Sequence, residues 1–188
     1  MAVEAADNAL VTLDEVKDWL ALSEAGVDDF LQRAINDWSD AIETRCGRVF
    51  RSVEYAGEIH AGGRKAILLK NIPVTAITSI TVDDGALGSD DYTYDGPSGI
   101  VRLVSGKAFG GGPGSVEVDY TGGYAALPGD LKRGAKQLVA LDYYLSGRGR
   151  KALAKSAESI GDGSVSYNRG PNDQEKIMQT ILRIYGRR

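Results

Sequence analysis

Apolar positions along the 188-residue chain change their spacing three times. Thr12 and Glu15 form a capping-box pair, and Leu13, Val16 and Leu20 follow at helical spacing. This predicts a first helix over 12–24, stopped by Gly26. A second helix is predicted over 28–46, with Asp28 and Asp29 at its positive N-terminus and Gly47 at its end. Its apolar stripe is Leu31, Ile35, Trp38 and Ile42, so the two helices should pair as an antiparallel hairpin.

From about residue 50 to 124 the period falls to two. Strands are predicted over 53–59, 66–69, 77–82, 92–94, 100–103 and 116–120. Turn residues separate them: Gly62-Gly63, Asp83-Asp84-Gly85, Asp95-Gly96-Pro97 and the glycine-rich run 110–114. Short strands at this spacing predict an antiparallel meander or small barrel, with Pro73 marking an extended approach to the third strand. Helical spacing then returns. Pro128 opens a helix over 128–146 with Leu138, Leu141 and Leu145 on one stripe. A last helix over 173–186, with Asn172 as its cap, carries Ile177, Ile181, Ile184 and Tyr185. Only about three turns long, it should be ordered mainly by docking on something else. The pattern therefore predicts an α+β fold: a small helical bundle from 1–49 and 125–188, interrupted by an antiparallel β-rich insertion over 50–124. An arm over 147–171 joins the last two helices. Connections of this length are usually functional or disordered. Val165 and Tyr167 alternate with serines and could pair on a sheet edge, so the arm reads either as a segment reaching for another subunit or as a plain linker.

Charge adds a direction to this picture. The formal net charge is −4, but residues 1–46 carry −8, residues 47–146 carry −1 and residues 147–188 carry +5. Such polarity suits head-to-tail packing of unlike surfaces, or reflects no more than a solvated acidic helix pair and a basic tail. Overall acidity argues against a dedicated nucleic-acid module, which needs clustered Lys and Arg. One cysteine, Cys46, and one histidine, His60, exclude a disulfide framework, a CxxC centre and His-rich metal sites. Residues 1–8 contain Glu4 and Asp7 and no apolar run, so no signal peptide is expected. Apolar stretches fall far short of the roughly 20 residues of a membrane span. A soluble protein made in a reducing compartment is expected, with no membrane partner.

Candidate chemistry is sparse. Ser105-Gly106-Lys107-Ala108 lacks the upstream glycine and the Ser or Thr of a phosphate loop, and the Gly147-to-Ala152 run follows a helix where a dinucleotide fingerprint needs a strand. Asp83-Asp84 and Asp90-Asp91 read as turn formers. His60 reads as a solvent-facing turn residue, Cys46 as a small buried residue, and Trp19 and Trp38 as core. No catalytic residue, metal ligand or cofactor is nominated.

Taken in order, several blocks resemble the head-to-tail connector (portal adaptor) proteins of long-tailed bacteriophages and gene transfer agents. They are Thr12-Leu13-Asp14-Glu15-Val16-Lys17 with Asp28-Asp29-Phe30-Leu31; Ala41-Ile42-Glu43 leading to Gly47-Arg48-Val49-Phe50; Ile77-Thr78-Ser79-Ile80-Thr81-Val82 and Asp91-Tyr92; Val118-Asp119-Tyr120-Thr121-Gly122-Gly123-Tyr124 before Pro128-Gly129-Asp130-Leu131-Lys132; and Glu158-Ser159-Ile160-Gly161-Asp162, Ser164-Val165-Ser166-Tyr167 and Ile181-Leu182-Arg183-Ile184-Tyr185. The resemblance implies a structural virion protein with no enzymatic activity and no cofactor. It would be made in the host cytoplasm and placed in the neck below the portal. About twelve copies would form a ring that extends the DNA channel, through which DNA passes without sequence-specific binding, and that contacts a downstream neck or tail protein. It implies portal docking by the C-terminal segment, hence Ile181, Leu182, Arg183, Tyr185, Arg187 and Arg188, and subunit contacts at Ile160, Val165 and Tyr167. Gly163 stands where the family commonly has an aromatic. The alternatives are another neck component, such as a head-closure or tail-completion protein, and a small β-domain ligand-binding protein or enzyme.

Overall fold

A computed structural model describes residues 2–147 and 171–186. The helices are α1 (Leu13–Leu20), α2 (Asp28–Cys46), α3 (Gly129–Leu145) and α4 (Pro171–Tyr185). The strands are β1 (Val53–His60), β2 (Ile67–Leu68), β3 (Val74–Val82), β4 (Gly85–Ala86), β5 (Tyr92–Asp95), β6 (Ile100–Leu103) and β7 (Val116–Gly122). The fold is α+β, as the periodicities predict. It divides into two compact units, one of Met1–Gly47 with Leu127–Arg188, the other of Arg48–Ala126.

In the helical unit, α1 starts as its sequence dictates. Thr12 Oγ1 accepts the Glu15 N–H and Glu15 Oε2 accepts the Thr12 N–H, both at 3.2 Å, satisfying two amides that a helix start leaves unpaired. The helix ends earlier than predicted. Ala21 takes the left-handed conformation (φ 54°) that usually falls to glycine, and Gly26 sits in a separate 3-10 turn, Ala25–Val27. That turn buries Val27, and Lys17 Nζ reaches Asp28 at 2.7 Å, so α1 and the start of α2 are tied together. Gly47 closes α2 at φ 67°, as expected.

Residues before α1 run along α2 as a strap, which no hydrophobic period announces. Ala6 N–H donates to Asn36 Oδ1 (3.1 Å), Asn36 Nδ2 donates to the Glu4 carbonyl (2.9 Å), and Leu10 N–H donates to Ser39 Oγ (3.0 Å). Leu10, Val16, Leu31, Ile35, Ile42, Leu131, Leu138 and Met178 form the buried interior. Helix α4 is part of that interior. It packs on α3 and α2, buries Met178, Ile181 and Tyr185, and starts at Pro171, which leaves Asn172 inside the first turn instead of capping it. Its order therefore comes from its own unit, contrary to the expectation drawn from its length.

The β unit is neither a meander nor a closed barrel. It holds two antiparallel sheets, one in the order β1-β7-β3-β4 and one in the order β2-β6-β5. The last strand, β7, lies between β1 and β3, so the segment closes on its own first strand. Both sheets share one core: Ile67, Leu69 and Val101 from one, Val74, Ile80, Val116, Val118 and Tyr120 from the other, with Phe109 from the glycine-rich loop. Asp83 and Asp84 have positive φ (49° and 65°) and join Val82 to Gly85 in a two-residue hairpin turn. Sequence reading found this turn but not the two-residue strand after it.

β1 carries a bulge at Gly57 (φ 69°), opposite Asp119 of β7. The Asp119 carboxylate accepts Ser79 Oγ–H and the Gly57 N–H, each at 2.7 Å. The Ser79 hydroxyl, then the Gly57 amide, hold this carboxyl below its ordinary pKa. A depressed folded pKa adds stability above the unfolded value, near pH 4, and loses it as pH falls through the folded value. Acid titration of β-unit unfolding should therefore show a limb below about pH 4 that Asp119→Asn flattens; an unchanged limb in that variant would assign it elsewhere.

Candidate docking surface on the helical unit

Helices α1, α3 and α4 build a concave surface on the helical unit. Gly134 of α3 lets α4 approach closely, since a Cβ there would lie 2.8 Å from Ile181 Cδ1. Tyr185 OH donates to Asp130 Oδ1 (2.5 Å) at one end of this seam. At the other end Asp142 accepts Trp38 Nε1–H and Gln174 Nε2–H, both at 2.6 Å, so one carboxylate ties α2, α3 and α4. The outer side of the seam is open. A hollow of about 220 Å³ runs past Arg133, Gly134, Thr180, Ile184 and Tyr185. A second, of about 450 Å³, is lined by Trp19, Ala140, Leu141, Tyr144 and Asp173. Gln137 and Ile177 line both, which makes them one groove.

Two large apolar side chains mark its ends, Trp19 at 46% exposure and Ile184 at 54%. Trp19 is thus not core, against expectation. Its indole takes the Lys136 ammonium at 5.0 Å from the ring centre, a cation–π contact at the groove's rim. Lys132 pairs with Glu15 beside it. Burial works against that carboxylate's charge, but the Lys132 and Thr12 hydrogen bonds outweigh it and lower its pKa. Trp38 is the tryptophan that behaves as predicted, half-buried and hydrogen-bonded within the bundle.

The residues nominated for portal docking divide by helix face. Ile181 and Tyr185 are buried within their own unit and are not available on its surface. Leu182 is half-buried and Arg183 exposed, and Ile184, which the nominated set omitted, is the exposed apolar residue. Arg187, Arg188, Ile160, Val165 and Tyr167 lie outside the described residues, as does nearly all of the arm. The helical stripe alone could not separate Ile181 from Ile184, because both fit a 3.6-residue period and only the partner helix decides between them.

In the β unit, His60 is not a solvent-facing turn residue. It ends β1 with Nε2 2.9 Å from Glu58 Oε1, close but out of hydrogen-bonding alignment, and largely buried. Glu58 itself is buried. Its carboxylate accepts Tyr120 OH (2.7 Å) and Lys70 N–H (2.9 Å), and Tyr120 OH accepts Asn71 N–H (3.0 Å). Burial and the Glu58 carboxylate raise the Tyr120 phenol well above its ordinary pKa. The network bonds strand to loop. Cys46 is buried, and Asp91 caps the turn at Gly88 (3.0 Å). Among the described residues no three metal-ligating side chains cluster, and no helix is long and apolar enough to cross a membrane.

The chain belongs to the head completion protein family, whose model matches residues 9–188. Its role is structural, in completing the head of a phage-like particle. Its fold is similar to that of chains in gene transfer agent particles. One, from the neck of an empty particle computed with C6 symmetry, aligns with TM-score 0.58 and 22% identity, covering 100% of this chain and 95% of that one. A second, from the virion of the native particle, gives 0.54 and 21% with the same coverage. A third, from the neck of the native particle computed with C12 symmetry, gives 0.50 and 23%, again over 100% and 95%. At these identities the likeness is one of fold. No curated protein matches the chain.

Proposed function

We propose that the protein is a head–tail adaptor of the virion neck. Copies assemble as a ring, about twelve in number, beneath the portal, extend the DNA channel and present a platform to the next neck or tail protein. The observation that carries this reading is full-length likeness in fold to chains of a particle neck, within a family of head completion proteins. The C12 symmetry of one of those necks supports the copy number. The helical unit is the adaptor core. DNA passes through without sequence-specific contacts, consistent with the net charge of −4.

Portal docking is assigned to the end of α4, where Arg183 and Ile184 are exposed and Leu182 is half-buried, with Arg187 and Arg188 following. The arm, with Ile160, Val165 and Tyr167, reaches between subunits. Replacing Ile184 by Asp should leave thermal unfolding nearly unchanged, because its side chain is 54% exposed. The same variant should fail to join portal-bearing heads in co-sedimentation. Heads that retain the folded variant at wild-type level would contradict the assignment.

A further inference from the structure

The chain crosses between its two units twice, at Gly47–Arg48 and at Ala126–Leu127. Inside the β unit three segments meet where it does so: the entry 48–52, the exit 122–124, and the loop 69–73 between β2 and β3. The exit threads between the other two. Gly123 N–H donates to the Pro73 carbonyl (2.8 Å), Tyr124 N–H to the Phe50 carbonyl (2.7 Å), and Ser52 N–H to the Tyr124 carbonyl (3.2 Å). Glycine is required for this passage. A Cβ on Gly122 would lie 2.7 Å from the Asn71 carbonyl oxygen, and one on Gly123, where φ is 109°, would overlap the Arg51 carbonyl. Asn71 also ties the loop to the entry, its Oδ1 accepting Val49 N–H at 3.1 Å. Arg48 reaches all three segments. Its guanidinium lies 5.0 Å from the centre of the Phe50 ring and 5.6 Å from that of Tyr124, and it donates to the Ile72 carbonyl. A planar, delocalised cation can face aromatic rings while its N–H groups serve a carbonyl, which a lysine ammonium cannot match. Arg48 Nε is buried without a hydrogen-bond partner, so this part of the side chain is out of water, where cation–π attraction is strongest.

We propose that Arg48 is a latch that closes the β unit from within. The unit then holds its own two ends together and keeps its fold whether or not the helical unit is intact. The segments that the latch joins lead into β1 and out of β7, which pair antiparallel with each other. Opening it frays the sheet from the pair that ties its first strand to its last. Phe50 and Tyr124 act with Arg48 as one device, because the guanidinium serves both rings and the Ile72 carbonyl at once.

Hydrogen exchange on the full chain, read by mass spectrometry, follows each unit through its own peptides. Both tryptophans, Trp19 and Trp38, belong to the helical unit, so tryptophan fluorescence reads that unit alone. Arg48→Met removes the charge and the fork but keeps the length. Protection of β1, β3 and β7 should fall by about 10–100-fold, from two ring contacts and one charged hydrogen bond. Peptides of α2 and α3 and the tryptophan unfolding midpoint should stay at wild type. Arg48→Lys, which keeps the charge without the planar fork, should lose part of that protection, and it carries the test if the Met variant fails to fold. Tyr124→Leu should loosen the same strands, and R48M/Y124L should cost little more than the larger single change, because both break one latch. In the converse direction, Ile181→Asp, which opens the seam between α3 and α4, should leave protection of the β strands unchanged. Four results would overturn the latch: unchanged protection in the Arg48 variants, a fall shared by both units, fully additive effects of R48M and Y124L, or β strands that exchange freely in I181D.

Discussion

Ile181→Asp is expected to strip α4 from the helical unit. Ile181 is 4% exposed, seated on Gly134 and flanked by the buried Met178 and Tyr185. Removing a buried Ile side chain costs about 2–5 kcal/mol. A carboxylate in its place adds several more unless it is solvated, which it achieves only by opening the seam. Set against a typical stability of about 5–15 kcal/mol, that is a large share. Helix α4, marginal by itself at 15 residues, should melt with it. Gly134→Leu should do the same from the opposite side, since even a Cβ at that position meets Ile181 Cδ1 at 2.8 Å. Thermal unfolding and helicity by circular dichroism read both. A helical unit of wild-type stability in either variant would mean that α4 does not pack there. Ile184, 54% exposed, gives the contrast: one side of α4 is fold, the other faces outward.

In the β unit the largest effect is expected at Glu58. Its buried carboxylate satisfies Tyr120 OH and Lys70 N–H, and the phenol in turn satisfies Asn71 N–H. Glu58→Ala leaves the buried phenol and the part-buried Lys70 amide without that acceptor, at about 1–3 kcal/mol for the phenol. The change also removes the negative neighbour that His60 sits against. Tyr120→Phe should cost less, because it deletes one hydroxyl and keeps the ring stacked on Tyr55 at 5.1 Å between centres. Denaturant unfolding followed by tyrosine signals should rank the variants wild type, Tyr120→Phe, Glu58→Ala in falling stability. Equal stability of all three would remove the network as a source of order.

The elements that their own residues define were legible in the sequence, and those that a distant partner defines were not. α2 could be bounded because Asp28, Asp29 and Gly47 are its own end signals, and the Asp83-Asp84 turn because its residues favour the conformation a hairpin needs. The end of α1 was misplaced because a left-handed alanine has no signature. The strap before α1 is held by Asn36 and Ser39 of α2, some 30 residues away, and has no period of its own. Pairing of β7 with β1 spans some 60 residues and follows from the shared core, so alternation alone suggested a meander. For the docking surface, periodicity gave the amphipathic α4 but not which apolar residues its neighbour covers. Trp19 shows the same limit, since it sits beside a helical stripe yet lines an open groove. The charge gradient was visible from the start.

The most direct measurement of the central claim is electron cryo-microscopy of the assembled particle, with the neck reconstructed without imposed symmetry. The account predicts a closed ring of copies directly below the portal, about twelve in number, coaxial with the DNA channel, with α4's outer side against the portal. Density for this chain away from the portal, or a single copy off the channel axis, would contradict it.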